Sequence, residues 1–116
     1  MTRSFIEIPL FTKRWKQIGA GDEELQELQS IILANPKVGP VIEGAGGIRK
    51  MRFAFDHRGK RGSIRVCYLD FGEYGLTYLI TAFKKNEQQN ITEAEKNNLK
   101  KLVKVLRDEI ANSNRR

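Results

Sequence analysis

Of the residue types that carry much of enzyme chemistry, this sequence has very few: one cysteine, Cys67, and one histidine, His57. A lone cysteine excludes an internal disulfide framework and fits a reducing cytosol. One Cys and one His cannot build a Cys/His zinc site. They make a poor nucleophilic pair too. His57 sits among arginines, which lower an imidazole's pKa rather than help it hold a thiolate, and Cys67 falls inside a strand pattern. Long apolar runs are also missing, none approaching the roughly 18 residues that suggest a membrane span. Met1 to Ile6 is charged early, at Arg3, so no secretory leader is expected there. The carboxylates show no spacing signature of a hydrolytic pair. Gly44-Ala45-Gly46-Gly47 precedes a strand pattern and lacks the lysine spacing of a phosphate loop. No repeat, low-complexity tract or linker divides the 116 residues, so one domain over 1–116 is expected, standing on packing alone.

Positive charge is what the chain has in surplus. Twenty-one Lys and Arg against 14 Asp and Glu give a net charge of +7, which attracts polyanions: RNA, DNA, an acidic protein or anionic lipid. The distribution is uneven. Acids gather between Asp22 and Glu27, whereas Arg49 to Arg65 holds seven basic residues (Arg49, Lys50, Arg52, Arg58, Lys60, Arg61, Arg65) against the single acid Asp56.

The patterning reads as β-αα-βββ-α, a compact α+β domain. Ser4 to Ile8 alternates enough for a short strand, and Pro9 closes it or opens the next helix. Leu10, Phe11, Trp15 and Ile18 recur near helical spacing until Gly19-Ala20-Gly21 breaks the chain. Asp22 reads as the N-cap of a second helix carrying Leu25, Leu28 and Ile32, which Asn35-Pro36 ends. After a glycine-bearing loop come three strands of an antiparallel meander. Met51, Phe53 and Phe55 alternate with Lys50, Arg52 and Ala54. Ile64, Val66 and Tyr68 alternate with Arg65, Cys67 and Leu69. Leu76 to Phe83 follows the turn Gly72-Glu73-Tyr74-Gly75. Thr92-Glu93-Ala94-Glu95 is a capping box opening a last helix with Leu99, Leu102, Val103, Leu106 and Ile110 on one stripe. Arg107 and the tail from Asn112 are expected to fray.

The candidate chemistry lies in the basic constellation. Lys50 and Arg52 share a strand face, Arg65 lies on the next strand, Lys60 and Arg61 hang from the joining hairpin, and Lys84 and Lys85 end the third strand with Glu87 just beyond. In a meander these groups converge on one side of a small sheet, suited to RNA phosphates. Metal-free RNA cleavage through the 2′-hydroxyl requires a base, cations at the phosphorus and an acid for the leaving oxygen. A lysine crowded by other cations serves as base, and Glu87 is the alternative; arginine suits phosphate clamping. The plain reading is equally open: such a face is more often solvated surface, Tyr68, Tyr78 and Phe83 are as readily packing as base-stacking, and Trp15 is an anchor between helix and sheet.

Three ordered motifs resemble RelE/HigB-type toxins of the RelE/ParE superfamily. Asn35 to Arg52 (NPKVGPVIEGAGGIRKMR) is similar to the family's NP..G..I.GTGGLRK.R, Gly59 to Tyr68 (GKRGSIRVCY) to its GKRGG.R.IYY, and Leu79 to Glu87 (LITAFKKNE) to its L..(Y/F).KNE. The resemblance implies a RelE-like fold: a twisted antiparallel sheet, an N-terminal αα-hairpin and a C-terminal helix. It also implies a cytoplasmic, bacterial, ribosome-dependent endoribonuclease that cleaves mRNA in the A site without metal or cofactor. By matching positions, the catalytic residues would be Arg65, Lys85, Lys60 and Glu87. Arg49, Lys50, Arg52, Arg61, Lys84 and Tyr68 would bind RNA. Partners would be the ribosome, mRNA and a cognate antitoxin, often a helix-turn-helix DNA-binding protein. Ser63 stands where the second glycine of the family's pair is found, Cys67-Tyr68-Leu69 lacks the second aromatic, and Lys84 replaces a small residue. The alternatives are a ParE-like toxin that binds DNA gyrase on the same scaffold, and a non-enzymatic nucleic-acid-binding module.

Overall fold

The computed structural model describes residues 3–57, 60–85 and 91–113, without the side chains of 55–57 and 60–61. In chain order it runs β1 (Ser4–Glu7), α1 (Pro9–Ile18), α2 (Asp22–Ala34), β2 (Arg49–His57), β3 (Lys60–Phe71), a 3-10 turn (Gly72–Tyr74), β4 (Leu76–Lys84) and α3 (Glu93–Ser113). The sheet order is β1-β4-β3-β2. The expected meander of β2, β3 and β4 is antiparallel, while β1 pairs parallel to β4, so the sheet is mixed. Among the described residues no helix is long and apolar enough to cross a membrane.

The two faces of the sheet are covered by different helices because strand side chains alternate. Met51, Phe53, Ile64, Val66, Tyr68, Leu79 and Ala82 face the αα-hairpin, against Phe11, Trp15, Ile18, Leu28 and Ile32. Trp15 anchors helix to sheet as expected, its ring 5.2 Å from Phe11 and 5.8 Å from Phe53. Its indole N–H donates to the Gly21 carbonyl at 3.1 Å. Cys67, Leu69, Phe71, Tyr78, Ile80 and Phe83 face the other way, under Val103, Leu106 and Ile110 of α3.

Pro9 opens α1, where its missing N–H costs nothing. The second helix starts one residue earlier than Asp22 as N-cap predicts: Gly21 is the cap, and its N–H donates to Glu24 Oε1 at 3.2 Å. The capping box at Thr92 forms in both directions, the Thr92 N–H to Glu95 Oε1 at 3.0 Å and the Glu95 N–H to Thr92 Oγ1 at 3.1 Å. Arg107 is docked rather than frayed, its guanidinium 5.3 Å from the Phe71 ring centroid.

The loop before β2 is held by Tyr68. Its hydroxyl donates to the Pro36 carbonyl at 2.8 Å and accepts from the Gly39 N–H at 3.1 Å. Gly39 is required by close approach: a Cβ there would lie 2.9 Å from the Lys50 carbonyl group. Gly46 is required twice over, with φ +73 and an ideal Cβ position 3.2 Å from Val103 Cβ.

Between Cys67 and Tyr68 the β3–β4 register slips, leaving Ile80 without a Cα partner. Ile80 and Thr81 therefore both face α3, and every later residue of β4 changes sides. This bulge decides which cations meet at the site.

Candidate nucleic-acid interface

Three cross-strand rows build the surface on the α3 side of the sheet: Lys50–Cys67–Thr81, Arg52–Arg65–Phe83 and Ala54–Ser63. The first row runs beneath the start of α3, and Cys67 is fully buried. Beyond it only the β4 end, at Phe83, stays covered, and the β2 and β3 positions open to solvent. Arg52, Ala54 and Gly62 are exposed, while Lys50, Ser63 and Arg65 are half-buried. The alternation read in β2 and β3 thus brings Lys50, Arg52 and Arg65 together.

Arg52 and Arg65 share one acceptor. Arg52 Nε donates to Ser63 Oγ at 2.9 Å, and Arg65 Nη1 reaches the same oxygen at 3.4 Å. Lys50 opens instead onto a cleft of about 460 Å³ lined by Pro40, Val41, Ile42, Ile91 and Lys96. Lys96 was not singled out from sequence, although a signal existed. It precedes Leu99 and Val103 by three and seven residues, so a lysine occupies the head of the apolar stripe of α3. Its ammonium lies 3.5 Å from Glu93, an exposed partner that leaves it available to an anion.

Burial pushes the Cys67 thiol up to about 12, with Lys50 pulling it down and Glu95 raising it further. At neutral pH it is a protonated, enclosed thiol, in keeping with its exclusion as a nucleophile.

Several expected positions lie elsewhere. Arg49 faces the αα-hairpin side and donates to the Gly39 carbonyl at 2.8 Å, bracing the loop. Tyr68 offers no ring to a base, because it is fully buried and both hydroxyl contacts are intramolecular. Lys84 pairs with Ile64, so the bulge at Ile80 turns it to the opposite face. Lys85 is exposed in the turn that follows β4. The backbones of Lys60 and Arg61 pair with His57 and Asp56 in the hairpin, but their side chains lie outside the described residues, as does Glu87. The site that the described residues assemble is therefore Lys50, Arg52, Ser63, Arg65 and Lys96.

The architecture is similar to that of a solved E. coli RelE toxin, an arginine-to-alanine double mutant in the free state. The TM-score is 0.52 at 16% identity, covering 77% of this chain and 90% of that one. At that identity the likeness concerns the fold. In sequence, residues 11–113 match the family described as the RelE toxin of the RelE/RelB toxin–antitoxin system. That span takes in α1 from Phe11, α2, the β2–β4 meander and the whole of α3, and on it the chain belongs to the RelE toxin family.

Proposed function

We propose that this chain is a ribosome-dependent endoribonuclease that cuts mRNA by metal-independent attack of a 2′-hydroxyl on the adjacent phosphodiester. The observation that carries this reading is the pair Arg52 and Arg65, opposite each other on adjacent strands and turned to one Ser63 oxygen, with Lys50 on the same face of the sheet. A gyrase-binding toxin has no need of this basic set, whereas a plain binding module would use the same cations and leave RNA intact.

In the reaction a base removes the 2′-proton, the oxygen attacks phosphorus, and the bond to the 5′-oxygen breaks as that oxygen takes a proton. The products are a 2′,3′-cyclic phosphate and a 5′-hydroxyl. Arg52 and Arg65 stabilise the charge on the phosphoryl oxygens as a fifth oxygen approaches. Lys85, exposed just beyond the strand that carries Phe83, transfers the proton, with Glu87 as the other proton carrier. Lys50, Lys96, Lys60 and Arg61 grip neighbouring phosphates and ribosomal RNA through a salt-sensitive term. A cognate antitoxin, in this proposal a helix-turn-helix protein, silences the toxin by covering the cations or barring it from the ribosome.

The test is expression in a translating bacterial extract with a defined message, mapping new ends by primer extension. Wild type is expected to give cuts on translated message only, leaving 5′-hydroxyl ends. Arg65→Ala and Lys85→Ala should each lower the cleavage rate by about 100-fold or more, the scale of a lost oxyanion donor or proton carrier. Intact message in the extract from a chain that arrests growth when expressed in cells would sink the nuclease reading in favour of a gyrase-type toxin.

A further inference from the structure

Arg52 and Arg65 stand directly opposite each other on adjacent strands. Like charges so placed repel and weaken a strand pair. Yet both guanidiniums turn toward one neutral oxygen, Ser63 Oγ, at 2.9 and 3.4 Å. We propose that Ser63 is a positioning residue that assembles Arg52 and Arg65 into a single cradle for a phosphodiester group, to which its own hydroxyl adds the third donor.

The chemistry follows from what a serine hydroxyl can do. It has two acceptor lone pairs and one O–H. Donors from the two arginines occupy the lone pairs, so the hydroxyl hydrogen is directed away from both cations. Two guanidiniums and an O–H then share one small region, each offering hydrogen and none offering a lone pair. That set suits the non-bridging oxygens of a phosphodiester and excludes a cation or a hydrogen-bond donor. Beside Arg52 and Ser63 the surface is open, bounded by the small residues Ala54 and Gly62. A glycine at position 63, as the family pattern carries, provides neither the shared acceptor nor the third donor.

This inference rests on the nuclease reading for its purpose but not for its test. Binding of a 2′-O-methylated oligoribonucleotide, which cannot be cut by 2′-hydroxyl attack, is followed by fluorescence anisotropy with the full chain alone. Ser63→Ala is expected to weaken binding by about tenfold, the scale of a hydrogen bond to a charged group. Ser63→Thr keeps the hydroxyl and should bind within about twofold of wild type, well below the loss expected from removing such a bond. When Arg52 and Arg65 are both alanine, Ser63→Ala should cost clearly less than in the wild type, since only its own donor is then lost and not the placement of the arginines. Undiminished affinity in Ser63→Ala overturns the proposal. So does a threonine variant as weak as the alanine one, or an equal loss in the arginine-free background. Because neither ribosome nor cleavage enters the measurement, a toxin that left translated message intact would remove the nuclease reading and leave the cradle to be judged by these titrations.

Discussion

Cys67 is a residue whose ionisation is coupled to folding. Its thiol is held near 12 in the folded chain against 9.0 for a free group, mainly because burial disfavours the thiolate. A raised pKa means that the folded state keeps a proton the unfolded state loses, so stability falls as pH rises. The contribution is complete below about pH 9 and is lost between there and about 12. Tyr68 and Tyr78, also raised by desolvation, act in the same direction at alkaline pH. Cys67→Ala should flatten the alkaline limb of a urea-midpoint-against-pH curve, and a thiol reagent should label native Cys67 only as fast as the protein opens. Labelling at the rate of an exposed thiol would contradict the burial. At this scale the sequence was partly legible. The alternation that set Tyr68 beside Ile64 and Val66 already pointed it inward, and the family's aromatic position pulled the other way. Burial decided it.

Among the elements, α3 depends on the loop that precedes β2. Gly46 holds a left-handed conformation with Val103 packed against the place a Cβ would occupy. Gly46→Ala combines backbone strain with overpacking, and a loss of about 2 to 4 kcal/mol is expected in chemical denaturation. Val103→Ala in the same chain should recover part of the packing loss but none of the strain, which separates the two causes. The start of α3 was readable from Thr92 to Glu95, because a capping box is a local contract between four residues. The bulge at Ile80 was not readable. It depends on how β4 lies against β3, and nothing in Leu76 to Lys84 marks it. Counting by twos from Tyr78 puts Lys84 with the cations. The slip puts Phe83 there instead, against Arg65, and sends Lys84 to the far face.

For the molecule as a whole, the least predictable step is the closing of the sheet by its first strand. β1 has four residues and pairs parallel to β4, a choice between distant segments that local pattern cannot make. Arg3 secures it. Its Nε and Nη2 donate to the two oxygens of Asp70 at 3.0 and 3.2 Å, and Thr77 donates to the same carboxylate at 2.7 Å. The pair is nearly sealed from water, with Arg3 Nη1 buried and without a hydrogen-bond partner. Asp70→Ala would leave a buried cation unpaired and should cost about 3 to 5 kcal/mol. Hydrogen exchange should show β1 amides losing protection first; uniform loss across the sheet would assign the pair a global role instead.

At the other end of the sheet lies β2, whose outer edge has no partner strand among the described residues beyond the bridge from Val41 to Arg49. The stretch of edge beyond that bridge invites pairing with another chain, and natural proteins deter this with charge. Lys50 and Arg52, which the proposed function sets to hold RNA, are also the sentries of that edge. Two copies approaching side by side meet cation against cation. An acidic partner that neutralises those charges to silence the toxin must therefore cap the strand as well as cover it, or it would trade toxicity for aggregation.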